Sequence, residues 1–376
     1  MRLLYGVVGE GMGHATRSRV VLGHILSRGH EVRVVVSGRA HRFLTEAFRG
    51  RAGIEVREIA GLVLAYRGNE MDPWGSVRAN LRGALGKVRR NLDAVAALAE
   101  EGFEPRAVIS DYESWTYLYG RSRRIPVVDI DNIQALRRCR HPREIAAGLR
   151  TDFAVARIAT GLRLPGAWHY LVPTFFSPPV RMPRTTLVPP ILREAILAAR
   201  REPRAHVLVY QTSTRNEALV PLLRRLPGEF RVYGMAREGR EGNATLRAFS
   251  ETGFVEDLRT ARAVLAGGGF SLMSEAVHLG VPMLSVPVVH QAEQVMNARW
   301  LRRLGYGDCA EAFTEGAIAG FLADLPVREK ALASYGPRDN SMTFACLDEL
   351  LARVERGDRR PDRLDSPAAG KREPRR

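Results

Sequence analysis

The sequence predicts an α/β protein made of two Rossmann-like, doubly wound domains that face each other across a cleft. Three observations carry this. Apolar runs of strand length alternate with helical stretches through the first half. The alternation restarts after a proline-rich break. Each half holds a glycine turn between a strand and a helix, and 376 residues suffice for two separate cores.

In the first half, Leu3–Val8 reads as a strand, His14–Arg28 as a helix closed by Gly29, and Glu31–Ser37 as the next strand. Ile54–Ile59 is strand-like, and Val77–Glu101 has apolar residues at helical spacing. Ala107–Ser110 and Ile125–Ile130 are short buried strands. Prolines at 173, 178, 179, 183, 189 and 190 mark the expected linker. That divides the chain into a domain at 1–180 and a second at 181–354. In the second, His206–Gln211, Glu217–Arg225 and Phe230–Tyr233 restart the strand–helix alternation, and Ser341–Arg356 is the last helix. The tail 355–376 is charged and Pro-bearing, and is expected to be disordered.

The most informative stretch runs from strand Ala263–Ala266 through Gly267, Gly268 and Gly269 into a helix beginning Phe270-Ser271-Leu272. Gly280-Val281-Pro282 ends that helix, and the strand Met283–Pro287 follows. Glycine lets backbone approach a ligand closely, and unpaired N–H groups at a helix start favour an anion. Glu275, one turn in, is placed to accept hydrogen bonds from ribose hydroxyls. The unit suits a nucleotide diphosphate. Glu293 and Gln294, beyond the next strand, offer the mixed donors and acceptors that sugar hydroxyls need.

The first turn, Gly11-Met12-Gly13-His14, is weaker evidence, because many α/β folds have one. No acidic residue closes the second strand, as a dinucleotide site would require. His14 stands at the mouth of the sheet, where an imidazole is suited to take a proton from a hydroxyl. Asp111 ends another strand and is placed to orient it, with Glu113 as the competitor. Asp129 and Asp131 form a D-x-D pattern. Its spacing alone does not make a metal site, and contacts on the acceptor side or helix capping are preferred.

The net charge is +16, and all but three of the 57 basic residues are arginine. The excess lies mainly in the first half. It fits an anionic acceptor, an anionic membrane surface or no specific partner. Nucleic acid is disfavoured, since no binding motif accompanies the charge. Trp74, Arg78, Arg82, Lys87, Arg89 and Arg90 are the residues that a membrane surface would meet. Three scattered cysteines and an N-terminus that enters a strand directly point to a reducing cytoplasm, with peripheral membrane attachment as the variant. No apolar run reaches the ~20 residues of a membrane span.

These residues resemble the GT-B glycosyltransferases, in style the peptidoglycan N-acetylglucosaminyltransferases and the UDP-glucuronosyltransferase-like enzymes. The resemblance covers roughly residues 1–350 and is strongest over Gly253–Asn297. It implies that backbone of the stretch holding Phe254 and Val255 meets the base. Gly268, Gly269, Phe270, Ser271 and Leu272 would meet the diphosphate, Glu275 the ribose, and Glu293-Gln294 the donor sugar. It also implies that His14 is the base, paired with Asp111, and that Gly11, Gly13, Glu113 and Asp131 border the acceptor. The expected reaction is metal- and cofactor-free transfer, with inversion, from a UDP-sugar or other nucleoside diphosphate sugar to a hydroxyl acceptor. That acceptor is lipid-linked, anionic or a small natural product. Two departures stand out. Gly267 replaces a phosphate-binding histidine, and the sugar pair begins with Glu rather than Asp or Gln. A nucleotide-sugar 2-epimerase and a non-catalytic binding protein are the alternatives. Against the first, no D-S-G-G run is present.

Overall fold

The computed structural model describes all residues except 10, 62–64, 68–69, 73–77, 79–82, 165, 212–217, 337 and 365–376. Trp74, Arg82 and part of the expected helix at 77–101 therefore lie outside the described residues.

The N-terminal sheet holds seven parallel strands: β1 (Arg2–Val7), β2 (Glu31–Val36), β3 (Ile54–Glu58), β4 (Ala107–Asp111), β5 (Val127–Ile130), β6 (His169–Pro173) and β7 (Thr185–Val188). Their order is β3-β2-β1-β4-β5-β6-β7. The C-terminal sheet holds β8 (Val207–Tyr210), β9 (Phe230–Tyr233), β10 (Gly239–Glu241), β11 (Ala244–Arg247), β12 (Ala263–Ala266), β13 (Met283–Ser285) and β14 (Gly307–Cys309). Its order is β10-β11-β9-β8-β12-β13-β14, parallel apart from the β10–β11 hairpin. Near-continuous apolar strands covered on both faces are what a parallel sheet requires.

The helices that matter below are α1 (Met12–Ser27), α2 (Gly38–Ala47), α3 (Ala84–Glu100), α4 (Ser114–Ser122), α5 (Arg150–Arg163), α6 (Glu251–Thr260), α7 (Phe270–His278), α8 (Ala292–Arg303) and α9 (Ser341–Arg356). Strand alternation sorts the N-terminal core. Leu3, Tyr5, Ile109 and Leu171 pack beneath α1, α2 and α9. Leu4, Val108, Val127 and Tyr170 face Leu98 of α3, Tyr117 of α4 and Phe153 of α5.

Three expectations need correction. The proline-rich stretch 173–190 is not a bare linker, because β7 lies within it and pairs with β6. Pro183 and Pro189 flank that strand, and an edge strand tolerates missing donors on its open side. The first sheet thus runs past residue 180. The last helix also leaves the second domain. Cys346, Leu347, Leu350, Leu351 and Val354 form a stripe buried against the N-terminal sheet. Finally, the segment 357–364 is anchored to the first domain at Pro361 and Leu364. Leu364 is buried, His169 Nδ1 meets the Pro361 carbonyl at 3.1 Å, and the Arg184 N–H donates to Asp362 O at 3.2 Å.

Candidate functional site

The two glycine turns meet head to head. A Cβ on Gly13 would come within 2.5 Å of Ser271 Oγ, so the N-termini of α1 and α7 approach as closely as glycine allows. Gly11 has φ 85°, which lets the chain turn from β1 into α1.

On the α1 side, Asp111 ends β4 opposite Val7 of β1 and is fully buried. Tyr112 follows in the left-handed region at φ 54°, so the backbone turns sharply after the carboxylate. His14 Nδ1 lies 2.7 Å from Asp111 Oδ1. Asp111 Oδ2 also accepts from Arg17 Nε at 3.0 Å and Ser18 Oγ at 2.8 Å. Burial alone would raise the carboxyl, but Arg17 and His14 hold it down to about 2. An ionised Asp111 fixes the Nδ1–H tautomer and leaves Nε2 free to accept a proton.

Arg17 was not singled out in the sequence. Its guanidinium Nη2 contacts Asp111 Oδ1 and lies 2.8 Å from His14 Nδ1 and 3.2 Å from Asp131 Oδ1. With Nδ1 protonated toward Asp111, the Arg17–His14 approach brings two donors together and is not a hydrogen bond. His14, Asp111 and Asp131 each present a ligand atom within 4.8 Å of one another, which is metal-ligand spacing. Arg17 places its charge among the three, in the position a cation would take.

Asp131, expected on the acceptor side, is fully buried against Arg17. Asp129 Oδ2 accepts from Gln134 Nε2 at 2.6 Å. Burial pushes both of these carboxyls up, Asp129 the more strongly because Asp131 adds its negative charge. Glu113 is no competitor for His14. It caps α4, accepting from the N–H groups of Trp115 at 2.9 Å and Thr116 at 2.7 Å.

On the α7 side, no side chain among the described residues caps the helix, so its first-turn N–H groups are offered to an anion. Gly268 differs from its neighbours. Its N–H donates to Gln294 Oε1 at 3.1 Å, and a Cβ there would come within 2.5 Å of the Gln294 carbonyl oxygen. Gly268 serves by lacking a side chain, and the anion-facing donors begin at Gly269. Gly268→Ala is expected to overpack this contact by about 1–3 kcal/mol and raise the donor KM roughly tenfold. Steady-state kinetics with a saturating acceptor measures this.

Gln294 is likewise committed. Its amide oxygen also accepts from the Val288 N–H at 3.0 Å, and its nitrogen donates to Gln291. It shapes the turn from within. Phe254 and Val255 are buried inside α6, and Phe254 packs on Tyr210 and Tyr233. The Phe254 N–H donates to Ser250 O at 2.8 Å. The stretch expected to meet a base through its backbone is thus the first turn of a helix.

Glu275 sits one turn into α7 as expected, but both its oxygens accept from Arg193, at 2.8 and 2.7 Å. Arg193 also reaches Glu251 at 3.2 Å, and Glu251 pairs with Arg19 of α1 at 3.1 Å. Alternating charges thus run from the N-terminal helix to the candidate ribose ligand. Sequence reasoning missed Arg19, Arg193 and Glu251.

Glu293 faces the same cleft. Its Oε1 accepts from Asn297 Nδ2 at 3.2 Å. Burial, reinforced by the negative charge of Asp131, pushes its carboxyl up to about 7. The folded state therefore keeps a proton between about pH 4.5 and 7 that the unfolded chain has lost, and stability falls as pH rises through that window. Glu293→Gln is expected to be more stable than wild type by about 2 kcal/mol above pH 7. The gain should vanish below about pH 4.5. Chemical denaturation across that range measures it.

Two parallel sheets facing each other, with an unblocked glycine-turn helix on each side of the cleft, form the GT-B architecture of glycosyltransferases. The protein-family model described as Glycosyl transferase family 1 matches residues 1–326, and the chain belongs to that family. An uncharacterized glycosyltransferase of Methanosarcina mazei is 26% identical over 344 residues, 82% of this chain and 85% of that protein. One from Methanosarcina acetivorans is 24% identical over 354 residues, again 82% and 85%. Among solved structures, the glycotransferase of kitacinnamycin aligns with TM-score 0.65 at 19% identity, over 94% of this chain and 98% of that one. A UDP-glucose: anthocyanidin 3-O-glucosyltransferase in complex with UDP aligns with TM-score 0.67 at 13% identity, over 94% and 99%. The chain is a transferase acting on sugars.

Proposed function

We propose that the protein transfers a sugar from a UDP-sugar to a hydroxyl acceptor with inversion and without a metal. The carrying observation is the His14–Asp111 pair facing the uncapped N-terminus of α7. His14 Nε2 removes the acceptor proton. The acceptor oxygen attacks the anomeric carbon as the bond from that carbon to the diphosphate oxygen breaks, and the electron pair leaves with the diphosphate. N–H groups of Phe270, Ser271 and Leu272 and the helix dipole stabilise the developing charge. Asp111 stabilises the imidazolium. Arg17 supplies positive charge to the carboxylate cluster, which supports a metal-free reaction. Glu275 keeps lone pairs beyond those used by Arg193, and these serve the ribose. Glu293 meets the donor sugar. UDP in complex with a structural neighbour supports the choice of base.

A donor screen read by release of free UDP, with and without acceptor fractions, tests this. Acceptor-dependent UDP release is expected. Conversion of the nucleotide sugar to its epimer with no acceptor present would overturn the reading.

A further inference from the structure

The chain passes from the first sheet to the second after β7 and returns before α9. The buried Asn340 ties the two passages together. Its Oδ1 accepts from the Leu192 N–H at 2.9 Å, and its Nδ2 donates to the Leu192 carbonyl at 2.8 Å. Arg193 follows directly, and its own carbonyl accepts from the N–H groups of Ile196 at 3.0 Å and Leu197 at 3.1 Å. The Arg193 side chain therefore leaves a backbone pinned on both sides, at the point where the domains join.

From there its guanidinium forks onto both Glu275 oxygens, and both side chains are only 8% exposed. A planar fork holds a carboxylate in one plane, which a point charge does not. It also favours the ionised form. Burial pushes the Glu275 carboxyl up, Arg193 opposes that push, and Glu251 adds a smaller push upward. Arg193 Nη1 donates to Glu251 Oε1 at 3.2 Å, an oxygen that Arg19 shares. Arg19 is itself held, with its guanidinium carbon 5.1 Å from the centre of the Phe43 ring of α2. It lies on α1, the same unbroken helix that carries His14.

We infer that Arg193 is a positioning residue with two tasks: it presents Glu275 as a fixed pair of acceptors for the two ribose hydroxyls, and through Glu251 and Arg19 it sets the base-bearing helix α1 against α7. This rests on the proposed sugar transfer. Each Glu275 oxygen gives one lone pair to Arg193 and keeps another for a hydroxyl. A site built this way rejects a nucleotide without those hydroxyls, because its buried acceptors then stay unpaired. The outer link is more open, with Arg19 29% and Glu251 34% exposed, so it adjusts the placement of α1 rather than holding the fold.

Calorimetric titration with UDP and with 2′,3′-dideoxy-UDP, which lacks both hydroxyls, tests the inner link. The wild type is expected to bind UDP about tenfold or more tighter than the dideoxy nucleotide. Arg193→Met should weaken UDP binding by about tenfold or more and dideoxy-UDP binding much less, so that the preference collapses. Arg193→Lys keeps the charge without the fork and should retain part of the preference. It also decides the matter if the methionine variant, left with an unpaired buried carboxylate, does not fold. The inner link is overturned if the wild type binds both nucleotides alike, or if every folded Arg193 variant keeps the wild-type preference. Glu251→Gln and Arg19→Ala cut the outer link. Each should keep the nucleotide preference and lower kcat by about three- to tenfold, and the double variant should lose no more than either alone. Wild-type kcat in both, or fully additive losses, would overturn that link. Nucleotide binding needs no acceptor, which separates the two readings. A preference that depends on Arg193 without acceptor-dependent UDP release would sink the sugar transfer and keep the positioning. UDP release with a preference indifferent to Arg193 would do the reverse.

Discussion

Replacing His14 with alanine is expected to lower the transfer rate by about 10²–10⁴-fold, the usual contribution of a positioned general base. The effect should fall on kcat, with UDP binding kept, because the diphosphate donors belong to α7 on the other side of the cleft. The imidazole is tied by one nitrogen to a buried carboxylate, and its other nitrogen has no hydrogen-bond partner among the described residues. Alanine therefore removes the proton acceptor while leaving the fold intact. Rates measured at saturating donor and acceptor, beside UDP titration of the variant, check both parts. A variant with near wild-type turnover would remove His14 from the base role.

Asp111→Asn is expected to cost about 10³–10⁴-fold in kcat, because the amide no longer dictates the imidazole tautomer. It carries a second penalty that His14→Ala lacks. Asp111 is the shared acceptor of the buried Arg17 and Ser18 and of His14 at the cleft. An amide cannot accept from all three, and the buried guanidinium loses its opposite charge, at about 3–5 kcal/mol. Proton linkage sets the pH dependence. The Asp111 carboxyl is held down to about 2 from its ordinary 3.8. Its ionised form therefore stabilises the fold above pH 4, and this contribution of about 2 kcal/mol is lost as pH falls toward 2. The stability gap between wild type and Asp111→Asn should narrow over that interval. Denaturant melts between pH 2 and 7 read the gap directly.

The contrast between these residues and the ones that sequence reasoning missed is physical. The sheets were legible because a parallel strand covered on both faces must be apolar throughout, as in Val34-Val35-Val36 and Ala263–Ala266. The glycine turns were legible because close approach of two helix ends excludes a Cβ, as at Gly13 and Gly268. His14 and Asp111 stood at strand ends where an α/β sheet puts its ligands. Arg17 and Arg193 gave no such signal, since nearly every cation in this chain is an arginine. Only tertiary structure shows that these two are buried against carboxylates. Glu113 and Gln294 looked like site residues by position but satisfy local backbone donors instead. Capping and turn-fixing draw on the same polar side chains that ligand binding uses. The last helix was placed correctly at Ser341–Arg356. Its docking on the first sheet depends on a contact that sequence periodicity does not encode.

The most direct measurement is the anomeric configuration of the product. A proton NMR spectrum of the glycoside formed from an α-linked UDP-sugar would show it, taken at early times with a hydroxyl acceptor that supports UDP release. In-line attack by an oxygen deprotonated at His14, with the diphosphate leaving toward α7, predicts a β-linked product. An α-linked product would contradict the account, because retention needs chemistry that the His14–Asp111 pair does not supply.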